Sequence, residues 1–314
     1  MTGRTIILGP QRPSPNLPEA LAELGGDGHV LLVSAGWRWD EGETGAVRRA
    51  IHEDVLHVPL YTWLQVLRER HPELDRLYAA RQAMLLETKA RYQVRLKHAV
   101  AAWAELRERA GVTPHPALEG AMAHIRSLDH AFVQASLDIH ERAEDLQAPW
   151  EHPAMAEWVE KIRSVLASSR AVLVAGGHVG VLRQRMMAFG LGHLLREAID
   201  AGTHLICWSA GAMALSEQIV LFYDDPPEGA SHPEVFDTGF GLLPGAVWLP
   251  HARRRLRLDD PARVQLMAQR FAPRACIGLE NGAWMELRDG GYDVVKGADR
   301  VLRLRPEGGV ETWA

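Results

Sequence analysis

Apolar positions follow two rhythms along this chain, and the change between them divides it. Two short apolar runs open the sequence, Thr5–Leu8 and residues 29–34, joined by a proline-rich connection and a helically spaced stretch at Leu17–Leu24. That order predicts a strand, a helix and a second strand. From about residue 60 to 163 β-branched runs almost vanish. Leu74, Leu77, Tyr78, Leu85, Tyr92, Leu96, Ala99, Trp103 and Leu106 stay on one face of a 3.6-residue period. The spacing predicts one long helix, stopped by Gly111 and the pair Pro114 and Pro116. A second periodic set follows in Leu118, Met122, Ile125, Phe132, Leu137, Ile139 and Leu146. Pro149 and Pro153 then punctuate the chain before residues 155–166 resume a helix.

After residue 170 the pattern becomes strand, turn, helix, repeated. An apolar run at 171–175 ends in Gly176-Gly177, residues 179–201 read as the following helix, and His204–Trp208 reads as the next strand. That strand runs straight into Ser209-Ala210-Gly211-Ala212 and a short helix. Later come a strand at 245–249, a helix at 261–270, the strand Ala275–Leu279 and hairpin-like strands over 284–313. Alternation of this kind argues for an α/β three-layer sandwich with a mostly parallel central sheet, to which both ends of the chain contribute. The expected division is 1–59 (first strands and helix of the α/β core), 60–165 (a helical insertion) and 166–314 (the rest of the core).

Composition narrows the class without choosing a function. With 47% hydrophobic and 24% charged residues in 314, and a net charge of −5, the chain reads as globular, with no global charge excess to attract nucleic acid or an anionic membrane. Two cysteines, Cys207 and Cys276, cannot make a disulfide framework. No run reaches the roughly 18 apolar residues of a membrane span, and the N-terminus lacks a signal-peptide pattern. A cytoplasmic location is the expectation.

The chemistry concentrates at two turns. In a strand–Ser–Ala–Gly–Ala–helix run, small neighbours let a tight turn close and lift the Ser209 hydroxyl off the sheet, with the Ala210 amide facing a developing oxyanion. The same run would also serve as an ordinary helix start. One βα unit earlier, Gly176-Gly177-His178 sits at an equivalent strand end, where adjacent parallel strands would bring the two turns together.

Gly176-Gly177 followed by Trp208-Ser209-Ala210-Gly211-Ala212 resembles the peptidase E and cyanophycinase family of serine peptidases, within the class I glutamine amidotransferase-like superfamily. Gly239-Phe240-Gly241-Leu242-Leu243-Pro244, then Leu249-Pro250-His251, and Ile277-Gly278-Leu279 with Gly282 and Trp284 resemble that family's later motifs. The resemblance spans roughly residues 165–295 and leaves out the helical segment. It implies a hydrolase that cleaves a small peptide or amide through an acyl-enzyme, with Ser209 as nucleophile and His251 as general base. Asp224 is the implied third member, at the spacing of the acidic residue in peptidase E, with Asp225 its near-equal. Glu280 is the rival on the cyanophycinase pattern, although the natural alignment puts that position on Asn281. The oxyanion donors would be the amides of Ala210 and of Gly177 or His178, and Gly176, Arg255 and Arg257 would contact substrate. Where peptidase E has Asn-Thr after its glycines this chain has His178-Val179, so specificity does not carry over. A catalytically inactive binding or interaction protein on the same fold is the alternative.

No cofactor or metal is expected. Asp138-Ile139-His140-Glu141 and the scattered His115, His124 and His130 lack ligand spacing and read as exposed helix residues, and no phosphate-loop or dinucleotide glycine pattern is present. The apolar faces of 60–165 need a partner: the core as a lid or wall, or a second copy in a homodimer. Trp63, Trp103, Trp150 and Trp158 would fill that interface or the core.

Overall fold

The computed structural model describes residues 3–110, 115–145, 149–224 and 232–313. Its strands are β1 (Thr5–Leu8), β2 (His29–Val33), β3 (Val55–His57), β4 (Ser169–Val174), β5 (His204–Trp208), β6 (Gln218–Leu221), β7 (Glu234–Thr238), β8 (Ala246–Pro250), β9 (Ala275–Leu279), β10 (Trp284–Arg288), β11 (Gly291–Lys296), β12 (Val301–Leu304) and β13 (Val310–Thr312). Seven of them form one sheet in the order β11-β10-β1-β5-β4-β2-β3. From β1 to β3 every pairing is parallel, whereas β10 and β11 run antiparallel beside β1. The two ends of the chain thus meet in one sheet.

Both faces of that sheet are covered, which explains why its strands read as continuous apolar runs. Ile7, Leu31, Val33, Val172, Val174, Leu205 and Cys207 point into one core, and Ile6, Leu8, Val30, Leu32, Leu173, Ile206 and Trp208 into the other. The strands expected over 284–313 divide between sheets. β12 and β13 join β9 and β8 in a second sheet of order β13-β12-β9-β8, and β6 pairs with β7 alone.

The helices are α1 (Leu17–Leu24), α2 (Gly45–Ile51), α3 (Leu60–Arg70), α4 (Pro72–Ala110), α5 (Pro116–Asp145), α6 (Pro153–Ala167), α7 (Val179–Ala188), α8 (Leu191–Asp200), α9 (Ala210–Leu215), α10 (Ala252–Arg255) and α11 (Pro261–Phe271). The long helix expected over 74–106 is the 39-residue α4, about 58 Å at 1.5 Å per residue. Its predicted stop at Gly111 and Pro114, like Leu146 in the next set, lies outside the described residues. One expectation fails: residues 179–201 are two helices, α7 and α8. Gly190 between them adopts φ 64°, and any Cβ there would meet the Trp150 ring at 2.9 Å.

α4 and α5 form an antiparallel hairpin locked to the core by a buried polar cluster. Arg270 on α11 donates to both carboxylate oxygens of Asp129 on α5, each at 2.6 Å, while the Tyr92 hydroxyl on α4 donates to Asp129 at 2.7 Å. Tyr92 stacks on Phe132 with ring centroids 4.3 Å apart, and its hydroxyl accepts from the Val235 amide of β7. Trp63 and Trp103 are buried, and Trp158 packs on Trp63 with centroids 4.7 Å apart. Among the described residues no helix is long and apolar enough to cross a membrane.

Candidate active site

Three turns meet at the carboxyl ends of β2, β4 and β5. The parallel register sets Val33 beside Val174 and Val174 beside Cys207, so the residues that follow each strand share one edge. Ser209 follows β5 with φ 50° and ψ −119°, a backbone that a side chain adopts only when its surroundings over-determine it. The surroundings do so with glycine. A Cβ on Gly211 would run into the Val174 carbonyl, and one on Gly176 would come within 2.9 Å of the Ser209 Cβ. Ser209 is half-buried, and its hydroxyl makes no hydrogen bond to the described residues.

The candidate oxyanion donors separate cleanly. The Ala210 amide at the start of α9 and the Gly177 amide make no backbone bond among the described residues. His178 does not qualify, because its amide donates to the Gly36 carbonyl at 2.8 Å. Its ring caps α7, with Nδ1 accepting from the Val181 amide at 3.2 Å, and burial together with the nearby Arg38 charge lowers its pKa. Gly177 has φ 129° and packs on Gly36, so only glycine serves at this crossing.

The Gly36 turn carries only a faint mark in the sequence. It opens a short 3-10 segment, Ala35–Asp40, in which Arg38 stands at φ 61° and ψ −122°, nearly the backbone of Ser209. Buried Ser34 holds the base of this loop by bonding His57 Nε2 at 2.8 Å and the Glu41 carbonyl at 3.1 Å. Trp39, 78% exposed, lies edge-on to Tyr61. A glycine just past an apolar strand was the one signal available for it.

His251 comes from the second sheet, at the carboxyl end of β8. Its backbone is left-handed, φ 60° and ψ 38°, and its amide donates to the Leu279 carbonyl of β9 at 2.9 Å. Burial, then the charges of Arg255 and Arg254, lower the pKa of its ring below the ordinary histidine value. A neutral imidazole at pH 7 can accept a proton. Among the described residues no hydrogen bond joins its ring to Ser209 or to a carboxylate. α9, which carries the serine, packs against β8.

The two described acids do different things. Asp224 is buried, and both its oxygens are engaged: Oδ2 accepts from the Arg257 amide at 2.8 Å and Oδ1 from Arg263 Nε at 2.6 Å. Its own amide donates to the Arg255 carbonyl, so it braces the α10 turn from beneath rather than touching the ring. Asp225 lies outside the described residues. Glu280 follows Leu279, the register partner of Pro250, and therefore stands beside His251; its Oε1 accepts from the Arg253 amide at 2.8 Å. Asn281 turns away and donates to the Pro10 and Ser14 carbonyls.

Arg255 lies 4.8 Å over the Tyr223 ring and donates to the Pro250 carbonyl, while the Arg257 side chain is exposed. Cys207, two residues before the serine, is fully buried, and burial pushes its thiol pKa well up, away from nucleophilic use. His115, His124 and His130 are exposed, but His140 is not: it is buried and bonded to Asp237 at 2.9 Å, which corrects the reading of residues 138–141 as a wholly exposed face. Among the described residues no cluster of three metal-ligating side chains occurs.

The chain is similar to known proteins in part of its sequence and in its fold. Residues 147–295 match the sequence model of peptidase family S51. A peptidase from an acI-B1 Actinobacterium shares the fold at a TM-score of 0.51 and 14% identity, over 100% of this chain and 96% of that one. A putative peptidase E protein from Listeria monocytogenes EGD-e aligns at a TM-score of 0.47 and 12% identity, over 95% of this chain and 100% of that one. No curated protein matches the chain.

Proposed function

We propose that this chain, whose residues 147–295 match the sequence model of peptidase family S51, is a peptidase that cleaves a small peptide or amide through an acyl-enzyme on Ser209. The observation that carries this reading is the strained Ser209 backbone beside the amides of Ala210 and Gly177, which have no backbone partner among the described residues. The hydroxyl oxygen attacks the scissile carbonyl carbon while His251 takes the hydroxyl proton. The carbonyl oxygen becomes an oxyanion facing the two amides. Its collapse breaks the carbon–nitrogen bond, and His251 returns the proton to the departing amine. Water then attacks the acyl carbon, giving one proton to His251, and Ser209 leaves as it regains that proton.

Hydrogen bonding favours Glu280 over Asp224 as the acid that orients His251. Asp224 has both oxygens occupied, whereas Glu280 stands at the neighbouring strand end with Oε2 uncommitted. The missing ring–acid bond also favours a second reading, a binding protein without turnover on the same fold. A fluorophosphonate probe separates the two. Labelling of the wild type that disappears in Ser209→Ala supports the peptidase; no labelling, or equal labelling of both, rules out the nucleophile.

A further inference from the structure

A cavity of about 220 Å³ lies between α4, α5, α7 and β7. His178, Gly180 and Val181 line it on the side of the candidate site, just after Gly177 in the chain. The hairpin that forms its outer wall, residues 72–145, falls outside the stretch matching family S51. Its contents therefore have to be read from this chain alone.

Apart from His178, whose Nδ1 caps α7, the polar side chains that line it are engaged within the protein, Arg81 with His140 and Met187. Arg183 donates to the Thr238 carbonyl and hydroxyl, each at 3.0 Å, and pairs with Asp237, which also bonds His140 and the Thr238 amide. Gln184 donates to Gln82, the Tyr78 hydroxyl to the Gln184 carbonyl, and Ser136 to the Phe132 carbonyl. Lys89 pairs with Glu234 at 3.1 Å and lies over the Phe236 ring. A ligand that took any of these groups would have to break an internal bond to do so. What the cavity presents without such a cost is apolar: Leu85, Leu86, Phe132, Val181, Met187 and Phe236. Leu86 is 58% exposed, so its side chain is open to an incoming group.

We propose that this cavity is the specificity pocket for a large apolar or aromatic side chain of the substrate, on the residue whose carbonyl becomes the acyl-enzyme. The assignment to that residue rests on the serine-peptidase reading above, because the carbonyl held by Gly177 belongs to the acyl half. The size fits one side chain and no more: an apolar cavity of about 150 Å³ accepts a benzene ring, while pockets for whole small molecules start at about 300 Å³. The substrate class is a short peptide or amide with Phe, Tyr, Leu or Met at the acyl position.

Two measurements test this and keep the pocket apart from the chemistry. Diphenyl phosphonates carrying a Phe, Ala or Asp side chain should label Ser209 in the order Phe, then Ala, then Asp, with Phe roughly 10- to 100-fold faster than Ala. Val181→Phe, which fills the cavity, and Leu86→Glu, on the exposed surface of α4 where folding is insensitive, should each remove that advantage, so that the Phe and Ala probes label at similar rates. In parallel, ¹⁹F NMR of N-acetyl-4-fluorophenylalanine amide with Ser209→Ala should show line broadening that Val181→Phe abolishes. An Asp probe as fast as the Phe probe, or broadening that is absent or unchanged in the filled variant, overturns the pocket. Broadening that behaves as expected on a chain whose wild type no phosphonate labels keeps the pocket and removes the nucleophile instead.

Discussion

Among the described residues five non-glycine positions have positive φ, and three of them, Arg38, Ser209 and His251, stand at the strand ends that build the candidate site. Strain of this kind costs on the order of 1–3 kcal/mol per residue and persists only where neighbours enforce it. For Ser209 the enforcing neighbours are glycine and alanine, so the residue could be picked out of the sequence. Arg38 has no such local signature, since its conformation is imposed from buried Ser34 and Glu41 at the base of its loop. His251 yields a pH prediction. A general base works only when neutral, so kcat/KM should fall on the acid side with a midpoint below the ordinary histidine value of about 6.5. Arg255→Gln removes a nearby positive charge, which makes protonation easier and should move that midpoint upward, and Arg254→Gln should do so by less. A pH–rate profile whose acid limb is indifferent to both changes would exclude His251 as the base.

At the scale of elements, strands and turns were legible where burial on both faces makes apolar runs continuous, as in β1, β4, β5 and β9. The break between α7 and α8 was not, because Gly190 looks like a tolerable helix glycine until Trp150, distant in sequence, is placed against it. The surroundings of the candidate acids were not readable for the same reason. Spacing pointed to Asp224, but what Asp224 touches is decided by Arg263 of α11, and what stands beside His251 is decided by the β8–β9 register. The two acids should therefore respond oppositely to neutralisation. Asp224→Asn leaves a largely buried guanidinium without its charge partner and should cost about 3–5 kcal/mol of stability, seen as a lower melting temperature. Glu280→Gln should barely move melting while lowering kcat, with KM held. If Glu280→Gln is fully active and Asp224→Asn is inactive yet melts normally, the roles are the reverse.

For the whole molecule, the question is whether the α4–α5 hairpin is a moving lid or a fixed wall. Its helical period was plain in the sequence, but its docking was not, since neither Asp129 nor Arg270 carries any mark of the pair they make. The pair is buried on both sides, and Tyr92 ties it to α4. Such a cluster contributes little net stability when intact, yet breaking it by removing one charge is expensive, about 3–5 kcal/mol, because the remaining ion stays desolvated. A lid that opened on each turnover would instead have to uncover the apolar side chains of the hairpin that lie in the main core, Leu96, Trp103, Ile125 and Leu128 among them, so we expect a wall. Asp129→Asn should consequently do two things at once. It should lower the melting temperature, and hydrogen exchange should show α4 and α5 opening more readily while the central strands keep their protection. If exchange in the hairpin is already fast in the wild type and Asp129→Asn leaves it unchanged, the hairpin moves freely and the wall is wrong. If protection falls across the whole chain together, hairpin and core unfold as one cooperative unit, and the same ion pair holds both the specificity pocket and the sheet that presents Ser209.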